Sequence, residues 1–415
     1  MPTPKLRFKE FDGDWSQVKL KDLVLSLDAG VSVNGEDVSV TEDDFSVLKT
    51  SCVSLGTFNP DERKKVTLEH EILRLKEPLL NNSLVMNRSN TPLLVASSAF
   101  IRNAPKKTYL SDKLWQFKVN QNANIQWIAF HLSNETTLIK LRDMATGTSN
   151  SMKNITKPDV LNFDLIAPSK SEQTKIASFL SAVDEKISQL TQKHALLSQY
   201  KQGMMQKLFS QQISFKADDG SEFGEWEETT IGKITSTIST GATPSTLKEE
   251  YWNGNIKWMS SGELNHRHVH DVEKTITELG FKSSSTKILP KHCVLIGLAG
   301  QGKTRGTVAI NYIELSTNQS IAAIHPNPKV FDYRFIFFNL DMRYQELRAL
   351  STGDGGRGGL NLQIIKGVEI HLPCLEEQTK IANFLSSIDQ KIEVVAQQIE
   401  QAKQWKKGLL QQMFV

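Results

Sequence analysis

Cysteine is scarce. Cys52, Cys293 and Cys374 are the only three, far apart and without paired spacing. That argues against a disulfide framework or a zinc ribbon and fits a reducing cytoplasm. There is no continuous apolar stretch of membrane-spanning length, which excludes a transmembrane helix. Met1 to Glu10 is polar, carries two prolines and lacks the apolar core of a signal peptide. An excess of one charge is also missing: 49 basic and 46 acidic residues leave +3. Many nucleic-acid-binding domains are more basic, yet local patches rather than totals meet phosphates, so this balance neither assigns nor excludes such a partner. What is present is a folded composition, 39% hydrophobic and 23% charged over 415 residues, enough for two or three domains.

The strongest signal is internal repetition. Glu172–Ser210 and Glu377–Val415 align without a gap at an offset of 205 and share roughly half their residues. Pro168 and Pro373 stand at the same offset just before them. Each copy has the period of a long amphipathic helix. Ile176, Leu180, Val183, Ile187, Leu190, Leu197, Met204 and Leu208 form one seam with 4-3 spacing, His194 and Lys201 taking its remaining slots. Ile381, Leu385, Ile388, Ile392, Val395, Ile399, Ala402, Leu409 and Met413 form the other, with Lys406 matching Lys201. An apolar repeat of 3.5 residues over five heptads points to coiled-coil packing, in helices roughly 55–60 Å long.

A fainter repeat opens the segments between these helices. Phe11-Asp12-Gly13-Asp14-Trp15 precedes Leu20 and Leu23, and Phe223-Gly224-Glu225-Trp226 precedes Ile231 and Ile234 at the same distances. Short strands at Leu84–Met86, Leu93–Val95, Val294–Ile296, Val308–Ile310 and Ile321–Ile324 mix with helices at Ile125–Leu141 and Tyr333–Leu350. The expected fold is α+β. Two mixed domains, 1–168 and 213–373, alternate with two long antiparallel helices, 169–212 and 374–415, in a pseudo-twofold repeat.

Two divergent domains alternating with near-duplicate helices, each opening P-x3-EQ-x-KIA-x-FL-x3-D-x-KI, resemble the specificity subunit of type I restriction–modification systems across the whole chain. That resemblance implies two target-recognition domains, each reading half of a split, asymmetric double-stranded DNA sequence, with the helices setting the spacing. It implies docking of two modification subunits, which carry S-adenosylmethionine and methylate adenine at N6. A translocating restriction subunit, using ATP and Mg, would complete a cytoplasmic complex. This chain itself would bind no cofactor.

Several loops offer DNA-facing side chains. Arg88, Ser89 and Asn90, then Arg102, Lys106 and Lys107, are basic or polar candidates in the first domain. Thr146–Lys153, with Ser149, Asn150 and Lys153, and the Gly353–Gly359 loop with Arg357 hold matching places in the two halves. Glycine and serine expose backbone N–H groups to phosphates, and cations add charge. A solvated or domain-closing loop is the competing reading for each.

Gly297-Leu-Ala-Gly-Gln-Gly302-Lys303-Thr304 matches the P-loop pattern, but a working P-loop runs into a helix, and Arg305–Ile310 reads as strand. A strand–loop–strand presenting Gln301, Lys303 and Arg305 to base edges is the better reading. His266-Arg267-His268-Val269-His270 places three histidines on one face if it is a strand. No partner set at ligand spacing accompanies them, so a DNA-facing edge or a polar turn is preferred over a metal site.

Catalytic signatures are not evident. No Asn/Asp-Pro-Pro-Tyr/Phe occurs, and the acids of Pro60-Asp61-Glu62-Arg63-Lys64 are too crowded for a nuclease site. A Ser/His/Asp or Cys/His set, recognised by geometry, stays open. The chain is expected to be non-catalytic by itself. The alternatives are a coiled-coil adaptor or a P-loop nucleotide hydrolase.

Overall fold

The computed structural model describes residues 3–149, 151–300, 304–350 and 359–415. It divides into two compact units: Met1–Leu190 with Gln398–Val415, and Thr191–Gln397. Among the described residues no helix is long and apolar enough to cross a membrane. The architecture is α+β, as the sequence predicts, with two long antiparallel helices, Lys170–Phe209 and Leu375–Met413. Each helix has its first half in one unit and its second half in the other.

The first unit is built on a four-stranded antiparallel sheet in the order Val24–Ala29, Leu114–Val119, Ser83–Asn87, Ser98–Ile101. Its alternating side chains feed two cores. Leu84, Met86, Trp115 and Phe117 face one that also takes Ile176, Ala177, Leu180 and Val183 of the first long helix and Leu409, Met413 and Phe414 of the second. Val85, Ala99 and Ile101 face a smaller core with Cys52 and Val53. The second unit repeats the strand order with Ile238–Thr240, Ile321–Ile324, Val294–Gly297 and Val308–Asn311, then adds His268–Val269 at the last edge. There Met205 and Leu208 pack with Ile381, Ala382, Leu385 and Ile388.

The repeated EQ dipeptide is explained by what it holds. Glu172 accepts from the Trp15 indole at 3.2 Å and pairs with Arg7 at 2.8 Å. Gln173 donates to Pro168 O at 3.0 Å and accepts from Asn124 N–H at 2.9 Å. In the second unit Glu377 accepts from Trp226 at 3.1 Å, while Gln378 bonds Pro373 O at 2.8 Å and Asp332 N–H at 3.0 Å. Asn124 and Asp332 in turn cap the helices Ile125–Ser133 and Tyr333–Met342. One motif thus satisfies the indole, the proline carbonyl and a helix entry, groups that would otherwise be buried without partners.

Three local expectations change. The helix anticipated at Ile125–Leu141 breaks at Asn134, whose side chain caps a second helix, Glu135–Asp143. Tyr333–Leu350 likewise divides at Arg343. Leu93–Val95 is a turn rather than a strand: Pro92 fits the turn that Val95 N–H closes onto Thr91 O, and the strand starts at Ser98.

Most of the seam residues read from the sequence are buried. Ile176, Leu180, Val183, Leu190 and Leu208 are buried, as are Ile381, Leu385, Ile388, Val395, Leu409 and Met413. Ile187, Leu197, Ile392 and Ile399 are half-buried. Met204 is a correction. It is only half-buried, and Met205 enters the core in its place, four residues after the buried Lys201 and three before Leu208.

Candidate nucleic-acid interface

Strand pairing gathers some of the sequence candidates and separates others. In the first unit, Thr146–Ser149 and Met152–Asn154 form a hairpin whose second strand pairs with Ser89–Asn90, Lys153 opposite Asn90. Ile155 N–H donates to Arg88 O at 3.0 Å. The two strands lie close enough that a Cβ at Gly147 would fall 2.6 Å from Met152 O, so only glycine allows their approach there. Arg88 and Lys153 are half-buried, and Lys153 Nζ donates to Gly147 O at 3.3 Å. Asn90 and Ser89 are buried, and Asn90 spends its amide on Thr50 O and its carbonyl on Thr91 N–H. Its contribution is to fix the hairpin. Ser149 belongs to the first hairpin strand, whereas Asn150 lies outside the described residues.

Arg102, Lys106 and Lys107 lie elsewhere in the unit. Arg102 is exposed just beyond Ser98–Ile101. Lys106 pairs with Glu42 at 3.2 Å, and Lys107 donates to Asp43 O at 2.9 Å with its ammonium 5.3 Å from the Phe45 ring centre. One cation went unnoticed in the sequence. Lys113 is exposed, and its carbonyl accepts from Arg88 N–H at 3.0 Å. Only the pairing of Leu114 with Asn87 brings it there, and nothing local in the sequence signals that.

The second unit builds the same junction from different residues. Leu360 N–H donates to Leu298 O at 2.9 Å, as Ile155 does to Arg88. Leu360 and Ile155, which open the closing segments, therefore each bond the residue that follows the third sheet strand. Val294–Gly297 leads to Val308–Asn311 as strand–loop–strand, with no helix after Thr304 to hold phosphates. A Cβ at Gly297 would fall 2.1 Å from Thr304 O, so this glycine serves a close backbone approach. Arg305 is half-buried. Gln301, Lys303 and Arg357 lie outside the described residues.

The histidine run does not form the single face anticipated. His266 is exposed at the end of a short 3₁₀ turn, and Arg267 takes φ +61°. Only His268–Val269 is strand, its Nδ1 3.2 Å from the Tyr312 hydroxyl, and burial holds the His268 imidazole below its usual pKa. His270 stacks on Tyr312 at 4.5 Å. Arg267 is committed internally, with two bonds to Asp341 at 2.7 and 2.6 Å.

The long helices carry a reciprocal pair of charges. Lys406 pairs with Asp184 at 2.5 Å in the first unit, and Lys201 with Asp389 in the second. Both lysines also lie over a phenylalanine, Phe130 at 5.4 Å and Phe338 at 4.9 Å. Burial pushes the Lys201 ammonium down, against the pull of Asp389.

The chain is 34% identical over 184 residues to the type I restriction enzyme MjaIX specificity subunit of Methanocaldococcus jannaschii, an alignment spanning 41% of this chain and 42% of that one. The chain therefore covers less than half the length of that relative. With the putative MjaX specificity subunit of the same organism it is 22% identical over 98% of its own length and 94% of the other's. The crystal structure of a type I restriction–modification S subunit from M. genitalium shares the fold, with a TM-score of 0.63 and 16% identity over 100% and 99% of the two chains. A model of the type I restriction modification DNA specificity domain matches twice, at residues 13–199 and 224–404, and the chain belongs to that family.

Proposed function

We propose that this chain is the DNA-reading specificity subunit of a type I restriction–modification complex. Each unit reads one half of a bipartite, asymmetric sequence, and the long helices fix the spacing and seat two modification subunits. Adenine-N6 methylation with S-adenosylmethionine, and ATP- and Mg-dependent restriction, belong to the partner subunits; this chain directs them and is non-catalytic alone. One observation carries the reading. Both units make the same backbone contact beside the repeated helices, Ile155 to Arg88 in one and Leu360 to Leu298 in the other, yet surround it with different side chains, Arg88 and Lys153 against Leu298 and Arg305. A common support with divergent edges suits two readers of different bases.

Single-molecule mapping of N6-methyladenine, in cells with and without the gene and with the modification partner present, tests this. Loss of methylation at one split motif is expected. An unchanged methylome in cells that express the chain would sink the reading and favour a coiled-coil adaptor.

A further inference from the structure

One tight turn is framed alike in the two units. The first strand of each central sheet runs into a glycine, Gly30 after Val24–Ala29 and Gly241 after Ile238–Thr240. A Cβ on Gly30 would fall 1.6 Å from Leu110 O, and one on Gly241 1.8 Å from Thr317 O. Three residues beyond each of these carbonyls, Lys113 O accepts from Arg88 N–H at 3.0 Å and Ser320 O from Leu298 N–H at 2.8 Å. The neighbouring sheet strand then begins, at Leu114 in one unit and Ile321 in the other. The glycine contact and the backbone bond therefore bracket a two-residue tip, Ser111-Asp112 in the first unit and Asn318-Gln319 in the second. The frame is shared and the tip residues differ.

In the second unit the tip is held on both sides. Asn318 N–H donates to Met259 O at 3.1 Å, and Ser320 N–H to Asn318 Oδ1 at 3.1 Å. The loop after Gly241 is pinned by two indoles, Trp258 Nε1 donating to Ala242 O at 3.0 Å and Trp252 Nε1 to Ser245 O at 3.1 Å. Gln319 is exposed, and Thr243 reaches it from that loop, its hydroxyl donating to Gln319 Oε1 at 2.7 Å. A carboxamide oxygen has two lone pairs and its nitrogen two hydrogens. Thr243 takes one lone pair. The other lone pair and both N–H groups are engaged by no other bond among the described residues.

We propose that Gln319 is a specificity-determining residue that reads an adenine in the half-site of the second unit, with Thr243 as its positioning residue. This rests on the DNA reading above, because the tip adjoins Leu298 at the candidate interface. In the major groove adenine presents N7 as acceptor and N6–H as donor, and a carboxamide meets both at once. Guanine presents two acceptors, N7 and O6, so one of them would face Gln319 Oε1. A side chain oriented before binding loses less freedom when the contact forms. Asp112 takes the same place in the first unit. A carboxylate only accepts, so that tip does not make the paired contact to adenine, as two readers of different bases require.

The test uses the full chain assembled with its modification partner. A labelled duplex carrying the methylated motif is competed against duplexes in which each base pair of the second half-site is replaced in turn. Gln319→Ala is expected to lower the preference for one A·T pair of that half by about tenfold and to leave every other position of the motif unchanged. Gln319→Glu should move the same position toward C·G, because a carboxylate accepts from cytosine N4–H. Thr243→Val should weaken discrimination at that position and no other, by less than Gln319→Ala does. Unchanged thermal unfolding certifies the fold of these surface variants. Unaltered discrimination throughout the second half-site, a change confined to the first half, or an even loss across all base pairs would overturn the proposal. Motif-specific methylation that still requires the gene, beside any of those results, leaves the DNA reading standing and removes Gln319 from it.

Discussion

Two buried side chains show how much single groups carry. Glu172 serves both the Trp15 indole and the Arg7 guanidinium, whereas its counterpart Glu377 serves Trp226. Removing Glu172 leaves the buried Trp15 indole unsatisfied and strands a charge, while removing Glu377 leaves the half-buried Trp226 indole unsatisfied. Glu172→Ala is expected to cost about 2–3 kcal/mol and Glu377→Ala about 1 kcal/mol in denaturant titrations. His131 is fully buried, neither ring nitrogen has a hydrogen-bond partner, and it stacks against Phe414 at 5.5 Å. Burial, helped by Lys140, pulls its pKa down to about 4. The unfolded chain therefore takes up this proton first as the pH falls. Stability from the neutral ring is intact above an unfolded pKa of roughly 6.5 and is lost progressively down to about 4, about 3 kcal/mol in all. His131→Phe, which keeps a flat ring against Phe414, should flatten the acid limb of a stability–pH curve by that amount.

At the scale of elements, Lys406 and Lys201, paired with Asp184 and Asp389, occupy equivalent places in a seam that is apolar but for His194. Buried polar pairs in such seams specify register at some cost in stability. The two pairs differ in exposure: Lys201 and Asp389 side chains are 11% and 23% exposed, and Lys406 and Asp184 26% and 40%. Asp389→Ala should cost about 3 kcal/mol or more, because it leaves a buried ammonium, and adding Lys201→Met should recover most of that loss. Asp184→Ala should cost under about 1 kcal/mol. Calorimetry of the three variants separates these outcomes. This is also the scale at which the sequence was most legible. The 3.5-residue period fixed both helices, and the proline before each EQ marked where they begin. Met204 against Met205 was beyond it, because both are apolar and adjacent, and only packing against Lys201 and Leu208 chooses between them. Asn134 was a hidden break, since an apolar period resumes beyond it at Leu138 and Leu141.

Across the whole molecule, the candidate interface was legible in part. Arg88 and Lys153 were both visible as local motifs, but their adjacency depends on a pairing over more than sixty residues that no local pattern encodes. Lys113 was invisible for the same reason, and the Arg267–Asp341 bond withdrew a cation that composition alone counts as available. Charge follows the helices: their two copies hold ten basic and seven acidic residues, and the remainder balances at 39 against 39. Sequence-independent binding to DNA by the chain alone should therefore be weak and fall steeply between about 50 and 200 mM salt. Nanomolar affinity for specific DNA at physiological salt without partners would contradict this. Arg88→Ala with Lys153→Ala should lower affinity and alter one half of the methylated motif while sparing the other.

The core of the first unit is completed by Leu409, Met413 and Phe414, and Leu6 N–H donates to Gln412 O at 2.9 Å. On the ribosome, these residues emerge after every residue of the second unit. The amino-terminal domain is therefore translated first and finished last. It must wait with its apolar face uncovered while some two hundred further residues are synthesised, a window in which chaperones have something to hold. A premature stop ahead of Leu409 would consequently do its damage in the domain translated first.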